Sequence, residues 1–63
     1  MERYVVEVMS GDLVKSEQIV SANSPLEAAR LGTGREVYER RDEMEWVRVT
    51  DEANSAVSWY AFK

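Results

Sequence analysis

The chain contains no cysteine and no histidine among its 63 residues. Tetrahedral zinc sites and iron–sulfur clusters therefore lack their usual ligands, and the Ser-His and Cys-His nucleophile pairs cannot form. A single domain spanning 1–63 buries only about 60% of the surface that its unfolded chain exposes. Chains of this size often rely on disulfides, metals or self-association for stability, and the first two are not expected in a chain without Cys and His.

Long apolar runs are also missing. The N-terminus, Met1-Glu2-Arg3-Tyr4, enters an alternating strand pattern, so neither a signal peptide nor a membrane span is predicted. The absence of cysteine fits a reducing compartment, although a secreted protein without cysteine is physically just as possible. We therefore expect a cytoplasmic protein, acting either in the cell that encodes it or in a host cell.

Basic residues are in the minority, with eight Lys and Arg against twelve Asp and Glu and a net charge of −4. Direct nucleic-acid binding normally needs a basic footprint to release counterions from phosphates, so nucleic acid is not an expected partner. The stretch 36–52 carries −4 by itself, through Arg40, Arg41, Arg48 and seven acids: Glu36, Glu39, Asp42, Glu43, Glu45, Asp51 and Glu52.

The first third of the chain predicts a β-hairpin. Residues 4–9 are rich in β-branched side chains, and 13–22 return as a second strand. Between them, Ser10-Gly11-Asp12 is a turn signal in which Gly11 can adopt a positive φ angle.

A short helix over 25–31 is predicted next. Ser24 can be its N-cap, Pro25 suits the first helical position, and Glu27 completes a capping box. Gly32 stands where a left-handed C-cap belongs. Leu26 and Ala29 are the expected core contacts, and the small Ala28–Ala29 pair would allow a close approach to a sheet.

The remainder predicts strands at 46–50 and 56–62, with 35–40 either a third strand or an extended connector. The fold class is therefore α+β, an antiparallel sheet of four to five strands in the order ββα(β)ββ, with one short helix on one face. By alternation the helix-side face is expected to carry Val6, Val8, Val47, Val49, Val57, Trp59 and Ala61. The uncovered face would then carry Val5, Glu7, Trp46, Arg48, Thr50, Ser58, Tyr60 and Phe62.

The acidic stretch has two interpretations. It could be a solvated loop with charged neighbours, as is common in small domains. It could instead be a negative patch that imitates phosphates and binds a basic protein surface. The aromatic residues also have two interpretations. Trp59 is expected to fill the core. Trp46 and Tyr60, beside Arg48, could form a binding hot spot or a homodimer contact.

Catalysis is not expected, and neither is a metal or a cofactor. Adjacent acids such as Asp42/Glu43 and Asp51/Glu52 are usually solvated, and so small a domain offers no deep pocket to shift a pKa. The loop 51–55 lacks the ligand spacing of a calcium loop. The glycines 32 and 34 follow a helix rather than precede one, so they do not form a phosphate cradle.

The segment Val20-Ser21-Ala22-Asn23-Ser24-Pro25-Leu26-Glu27-Ala28-Ala29-Arg30 and the ending Trp59-Tyr60-Ala61-Phe62-Lys63 resemble small proteins of phages and mobile elements, among them certain anti-CRISPR proteins. The resemblance covers about the last two-thirds of the chain. It implies inhibition of a CRISPR surveillance complex by binding a Cas subunit, often over its basic nucleic-acid path. The hairpin and Ser-Pro-Leu-Glu-Ala-Ala helix are also similar to HicB-like antitoxin domains, which neutralise a basic toxin, although a Pro-Gly segment and a DNA-binding tail are missing.

The leading hypothesis is therefore a non-enzymatic inhibitor that binds a basic protein surface. Its alternative is an antitoxin-like or accessory module that forms a homodimer through its aromatic face. The residues expected to contact a partner are Glu36, Glu39, Asp42, Glu43, Glu45, Trp46, Arg48, Asp51, Glu52 and Tyr60.

Overall fold

The computed structural model describes all 63 residues and confirms the predicted α+β class. One antiparallel sheet of five strands, in the order β2-β1-β4-β5-β3, carries one helix on one of its faces. The segment 35–40, left open by the sequence, contains a short strand. The elements are β1 (Glu2–Ser10), β2 (Leu13–Ala22), α1 (Pro25–Thr33), β3 (Val37–Glu39), β4 (Glu45–Asp51) and β5 (Val57–Phe62).

The β1–β2 hairpin forms as predicted, and its turn depends on Gly11. This glycine has a φ of 56°, a left-handed conformation that costs glycine little. Val8 and Met9 of β1 face Ser16 and Val14 of β2, so one residue of β2, Lys15, bulges out of the pairing. A bulge increases the local twist of the strand that carries it.

The N-terminus of α1 is capped as its sequence predicts. Ser24 has an extended backbone, and its hydroxyl accepts a hydrogen bond of 3.1 Å from the Glu27 amide. The Glu27 carboxylate in turn accepts one of 2.9 Å from the Asn23 amide. Both bonds satisfy backbone donors in the region where the helix cannot do so itself.

The C-terminus of α1 corrects the sequence prediction. The left-handed cap is Gly34, with a φ of 69°, and not Gly32, so the helix continues to Thr33. Gly32 is buried inside the helix, and a Cβ atom placed on it would lie 2.9 Å from Val6 Cγ1. The absence of a side chain at Gly32 is therefore what lets α1 approach β1.

The face of α1 that packs on the sheet is made of small residues. Ala28, Ala29 and Gly32 are buried, as helical spacing of three and four residues requires. The prediction that Leu26 would be a core contact is wrong, because its side chain is 41% exposed. These small residues pack against a core formed mainly by the sheet: Tyr4, Val6, Ala22, Val37, Val47 and Val49.

The face assignment was right for β1 and β4 and wrong for β5. Val47 lies opposite Tyr60, and Val49 lies opposite Ser58, so Ser58, Tyr60 and Phe62 share the helix side. Trp59 consequently lies on the other face and is 55% exposed, although it was expected in the core. Both faces of β5 carry large apolar residues, so alternation within this strand does not indicate which one is inside.

Candidate functional site

One face of the sheet has no helix over it, and we call it the open face. Strand pairing determines its members, because residues directly opposite each other in antiparallel strands point to the same side. It consists of Arg3, Val5, Glu7 and Met9 (β1), Val14, Glu17, Ile19 and Ser21 (β2), Trp46, Arg48 and Thr50 (β4), Val57, Trp59 and Ala61 (β5), and Tyr38 (β3).

The open face exposes an apolar row that crosses four strands. Ile19 lies opposite Val5, and Val5 lies opposite Thr50, which in turn faces Val57. Ile19 is 53% exposed and Val57 44% exposed. With Trp59 beside them, these side chains form a connected patch, and connected apolar patches on small domains mark interaction surfaces.

The next row of the open face holds an ion pair. Arg48 Nε and Nη2 donate to the two carboxylate oxygens of Glu7 at 2.8 and 3.0 Å. Glu7 is 9% exposed, and the bidentate bond from Arg48 lowers the pKa of its carboxyl against the opposing effect of burial. The pair is therefore ionised at neutral pH and holds Arg48 next to Trp59, its direct neighbour on β5.

Trp46 belongs to the open face, yet it is only 7% exposed. The Arg40 guanidinium carbon lies 4.2 Å from the centre of its ring, and its indole N–H donates a 2.9 Å hydrogen bond to the Gly11 carbonyl. Trp46 therefore joins the β3–β4 connection to the hairpin turn. The exposed tryptophan of the open face is Trp59, so the prediction that Trp59 fills the core is wrong.

The β3–β4 connection is organised by Glu43. Its carboxylate accepts hydrogen bonds from the Arg41 amide at 2.8 Å and from the Tyr38 hydroxyl at 3.0 Å. These bonds lower the pKa of the Glu43 carboxyl, the Arg41 amide having the largest effect. The hydrogen bond to the Glu43 carboxylate raises the pKa of the Tyr38 hydroxyl. The Glu43 carboxylate therefore makes its contacts within the β3–β4 connection and with the adjoining strand β3.

The predicted acidic residues are dispersed. Glu43 and Glu45 lie at one end of β4 and Asp51 and Glu52 at the other, about 20 Å away at the rise of a β-strand. Most of these acids are paired within the chain. The partners are Arg30 for Glu36 (2.9 Å), Lys15 for Glu45 (2.8 Å), the Ala53 amide for Asp51 (2.8 Å) and Arg3 for Glu52 (3.7 Å).

Two of the predicted acids, Glu39 and Asp42, are exposed and make no side-chain hydrogen bond or ion pair. Tyr60, also predicted to bind a partner, packs against the core on the helix side. Trp46 and Arg48 lie on the open face as predicted. The sequence did not predict Ile19 and Trp59 as site residues, because their exposure depends on the pairing of β2 and β5 with strands that are distant in sequence.

The remaining surface features are a depression beside α1 and dispersed acidic side chains. A depression of about 720 Å³ beside the end of α1 is lined largely by charged side chains, including the paired Arg30 and Glu36. No three acidic side chains converge where they could hold a metal ion. The only helix, nine residues long, is too short and polar to cross a membrane.

Comparison of the chain with protein-family models, curated proteins and solved structures finds no match.

Proposed function

We propose that this chain is a non-enzymatic protein-binding domain whose binding surface is the open face of the sheet. The observation that carries the proposal is the exposed patch formed by Ile19, Val57 and Trp59 beside Arg48. Tryptophan and arginine are enriched among residues that dominate binding energies. The bidentate bond to Glu7 holds the Arg48 side chain in place, so less of its conformational entropy would be lost on binding.

In its more specific form, we propose a phage or mobile-element inhibitor that acts in the host cytoplasm on a basic protein surface, which the acidic residues outside the open face would contact. A Cas subunit is the partner implied by the resemblance to anti-CRISPR proteins. Support comes from the net charge of −4 and from Glu39 and Asp42, whose charges are not neutralised within the chain. Such charges accelerate encounter with a basic partner and contribute most at low salt.

The binding surface is tested by capture from extracts of the cells in which the chain acts, followed by mass spectrometry. Trp59→Ala should abolish capture of the specific partner, while Leu31→Ala, an exposed leucine of α1, should leave it intact. Circular dichroism verifies that both variants are folded. Capture that is equal for the wild type and Trp59→Ala would refute the open face as the binding surface.

The role of the acidic side chains in binding a basic partner has a separate test. Glu39→Gln with Asp42→Asn removes two charges without breaking any contact within the chain, so binding to a basic partner should weaken and lose part of its salt dependence.

The inhibitor identity is tested by measuring nucleic-acid binding by a panel of CRISPR effector complexes with and without the chain. No effect on any complex would refute the anti-CRISPR role.

A further inference from the structure

The open face is electrically neutral although the chain is acidic. Its strand residues include two bases, Arg3 and Arg48, and two acids, Glu7 and Glu17. All of the net charge of −4 is therefore carried by the remainder of the chain. A surface aimed at a basic partner would carry negative charge, whereas a neutral and mainly apolar surface can meet an identical copy without repulsion.

We infer that the open face binds a second copy of this chain, giving a two-fold dimer in which the two sheets pack face to face. The inference rests on the proposed function, because it names the partner of the same surface. A two-fold interface must be self-complementary. The register of this sheet fulfils that requirement when the axis lies between the two open faces, runs roughly along the strands and passes over the gap between β1 and β4.

With that axis, β2 of one copy lies over β5 of the other, and β1 lies over β4. Ile19 then meets Val57 of the partner copy, and Val5 meets Thr50. In the charged row, Glu7 meets Arg48 of the partner copy, so the two ion pairs are placed with opposite charges facing each other. Packed sheets lie about 10 Å apart, with their strands rotated by roughly 30°. Side chains of this size can fill the space between the two sheets.

The available area suits a dimer that dissociates on dilution. Four strands overlap in this arrangement, and at about 4.8 Å spacing and a length of about 20 Å they bury roughly 400 Å² per copy, or roughly 800 Å² in the pair. That value is in the range of weak, transient interfaces. Helix α1 and Glu39, which lies on the helix side of β3, stay on the outside of the dimer, where a basic partner could still reach them.

Sedimentation equilibrium between about 1 µM and about 1 mM, a range that covers weak dimers, tests the inference. The average mass of the wild type should rise from 7.2 kDa towards twice that value. Ile19→Lys and Val57→Glu, each at an exposed position, should each raise the dissociation constant at least about tenfold, since each buries an unpaired charge. Leu31→Lys on α1 is the control and should dimerise as the wild type does.

Combining Ile19→Lys and Val57→Glu in one chain should restore the dimer. Within one chain the two positions are three strands apart, roughly 14 Å, so the introduced charges can pair only between copies. Mixing the two single variants should restore association as well, which covers the case that the double variant does not fold.

A chain that stays monomeric over the whole range, a dimer unaffected by both single substitutions, or the absence of any rescue would overturn the inference. If the chain is monomeric but Trp59→Ala still abolishes capture of another protein, the second copy is refuted and the proposed function stands. Failure of both experiments would refute the open face itself.

Discussion

At the scale of single residues, Gly32 and Glu7 show how strongly the fold depends on neighbours that are distant in sequence. Glycine in a helix is normally unfavourable by about 1 kcal/mol relative to alanine, but Gly32 lies against Val6 with no room for a Cβ atom. Glu7 is a carboxylate in an apolar strand, and it is tolerated because Arg48 on β4 binds both of its oxygens.

Gly32→Ala should destabilise the domain although alanine is the better helix former. The added methyl group would have to displace α1 or Val6, because the Cβ position is 2.9 Å from Val6 Cγ1, and such overpacking costs about 1–3 kcal/mol. Denaturant unfolding measures the change. Leu31→Ala, an exposed neighbour in the same helix, should change the free energy of unfolding by no more than about 0.5 kcal/mol. Equal or greater stability of Gly32→Ala would contradict the close approach.

The Glu7–Arg48 pair should make stability depend on pH. Because the pKa of Glu7 in the folded chain lies below its ordinary value of 4.5, the pair stabilises the fold at neutral pH. This contribution is lost as the pH falls through the lowered pKa. Glu7→Gln should cost about 1–2 kcal/mol at pH 7, a value reduced for the partial exposure of Arg48.

The difference between the wild type and Glu7→Gln should narrow on acidification, as followed by urea unfolding at several pH values. Glu17→Gln is the matched control, because Glu17 lies opposite Glu7 on the same face and makes no side-chain hydrogen bond. A difference that stays constant down to strongly acidic pH would show that the ion pair does not contribute to stability.

At the scale of elements, the parts that were predicted correctly are those specified by local signals. The hairpin follows from Gly11 between two apolar strands, and the start of α1 follows from Ser24, Pro25 and Glu27. Each signal acts within a few residues along the chain, so the sequence alone contains the relevant physics.

The predictions that are wrong concern features that depend on contacts between segments that are distant in sequence. Both faces of β5 are apolar, so only the register of β5 with β4 places Tyr60 inside and Trp59 outside. The prediction of a helix cap at Gly32 is wrong because the sequence does not indicate that Gly32 contacts Val6. The acidic residues of 36–52 are close in sequence, yet β4 separates them to its two ends.

Ser24→Ala should weaken α1 by about 1 kcal/mol, since the Glu27 amide would lose its acceptor. Thermal unfolding and amide exchange in the first turn of the helix measure the effect. Ser21→Ala, at an exposed strand position, provides the control. Unchanged exchange in the first turn of Ser24→Ala would show that the cap does not stabilise the helix.

Glu43→Gln should loosen the β3–β4 connection. The carboxylate accepts bonds from both the Arg41 amide and the Tyr38 hydroxyl, and an uncharged amide is a weaker acceptor. We expect faster hydrogen exchange at the Arg41 amide, while Asp42→Asn, which breaks no contact, should leave that rate unchanged. Identical rates in the wild type and both variants would contradict the role assigned to Glu43.

At the scale of the whole molecule, the sheet separates two kinds of surface. One face is covered by α1 and encloses the core, while the open face carries no helix and is mainly apolar and neutral. The net charge of −4 lies outside the open face. A chain with no cysteine has no disulfide to support so small a core, and covering the open face would add the apolar burial that it lacks.

The central claim, that the open face binds a second copy of this chain, is tested most directly by following methyl and indole NMR signals of the unmodified chain as its concentration is raised. The account predicts shifts at Val5, Ile19, Val57 and the Trp59 indole, with the methyl groups of Leu26 and Leu31 on α1 unchanged. Shifts confined to the leucines of α1, or no shift at any concentration, would contradict it.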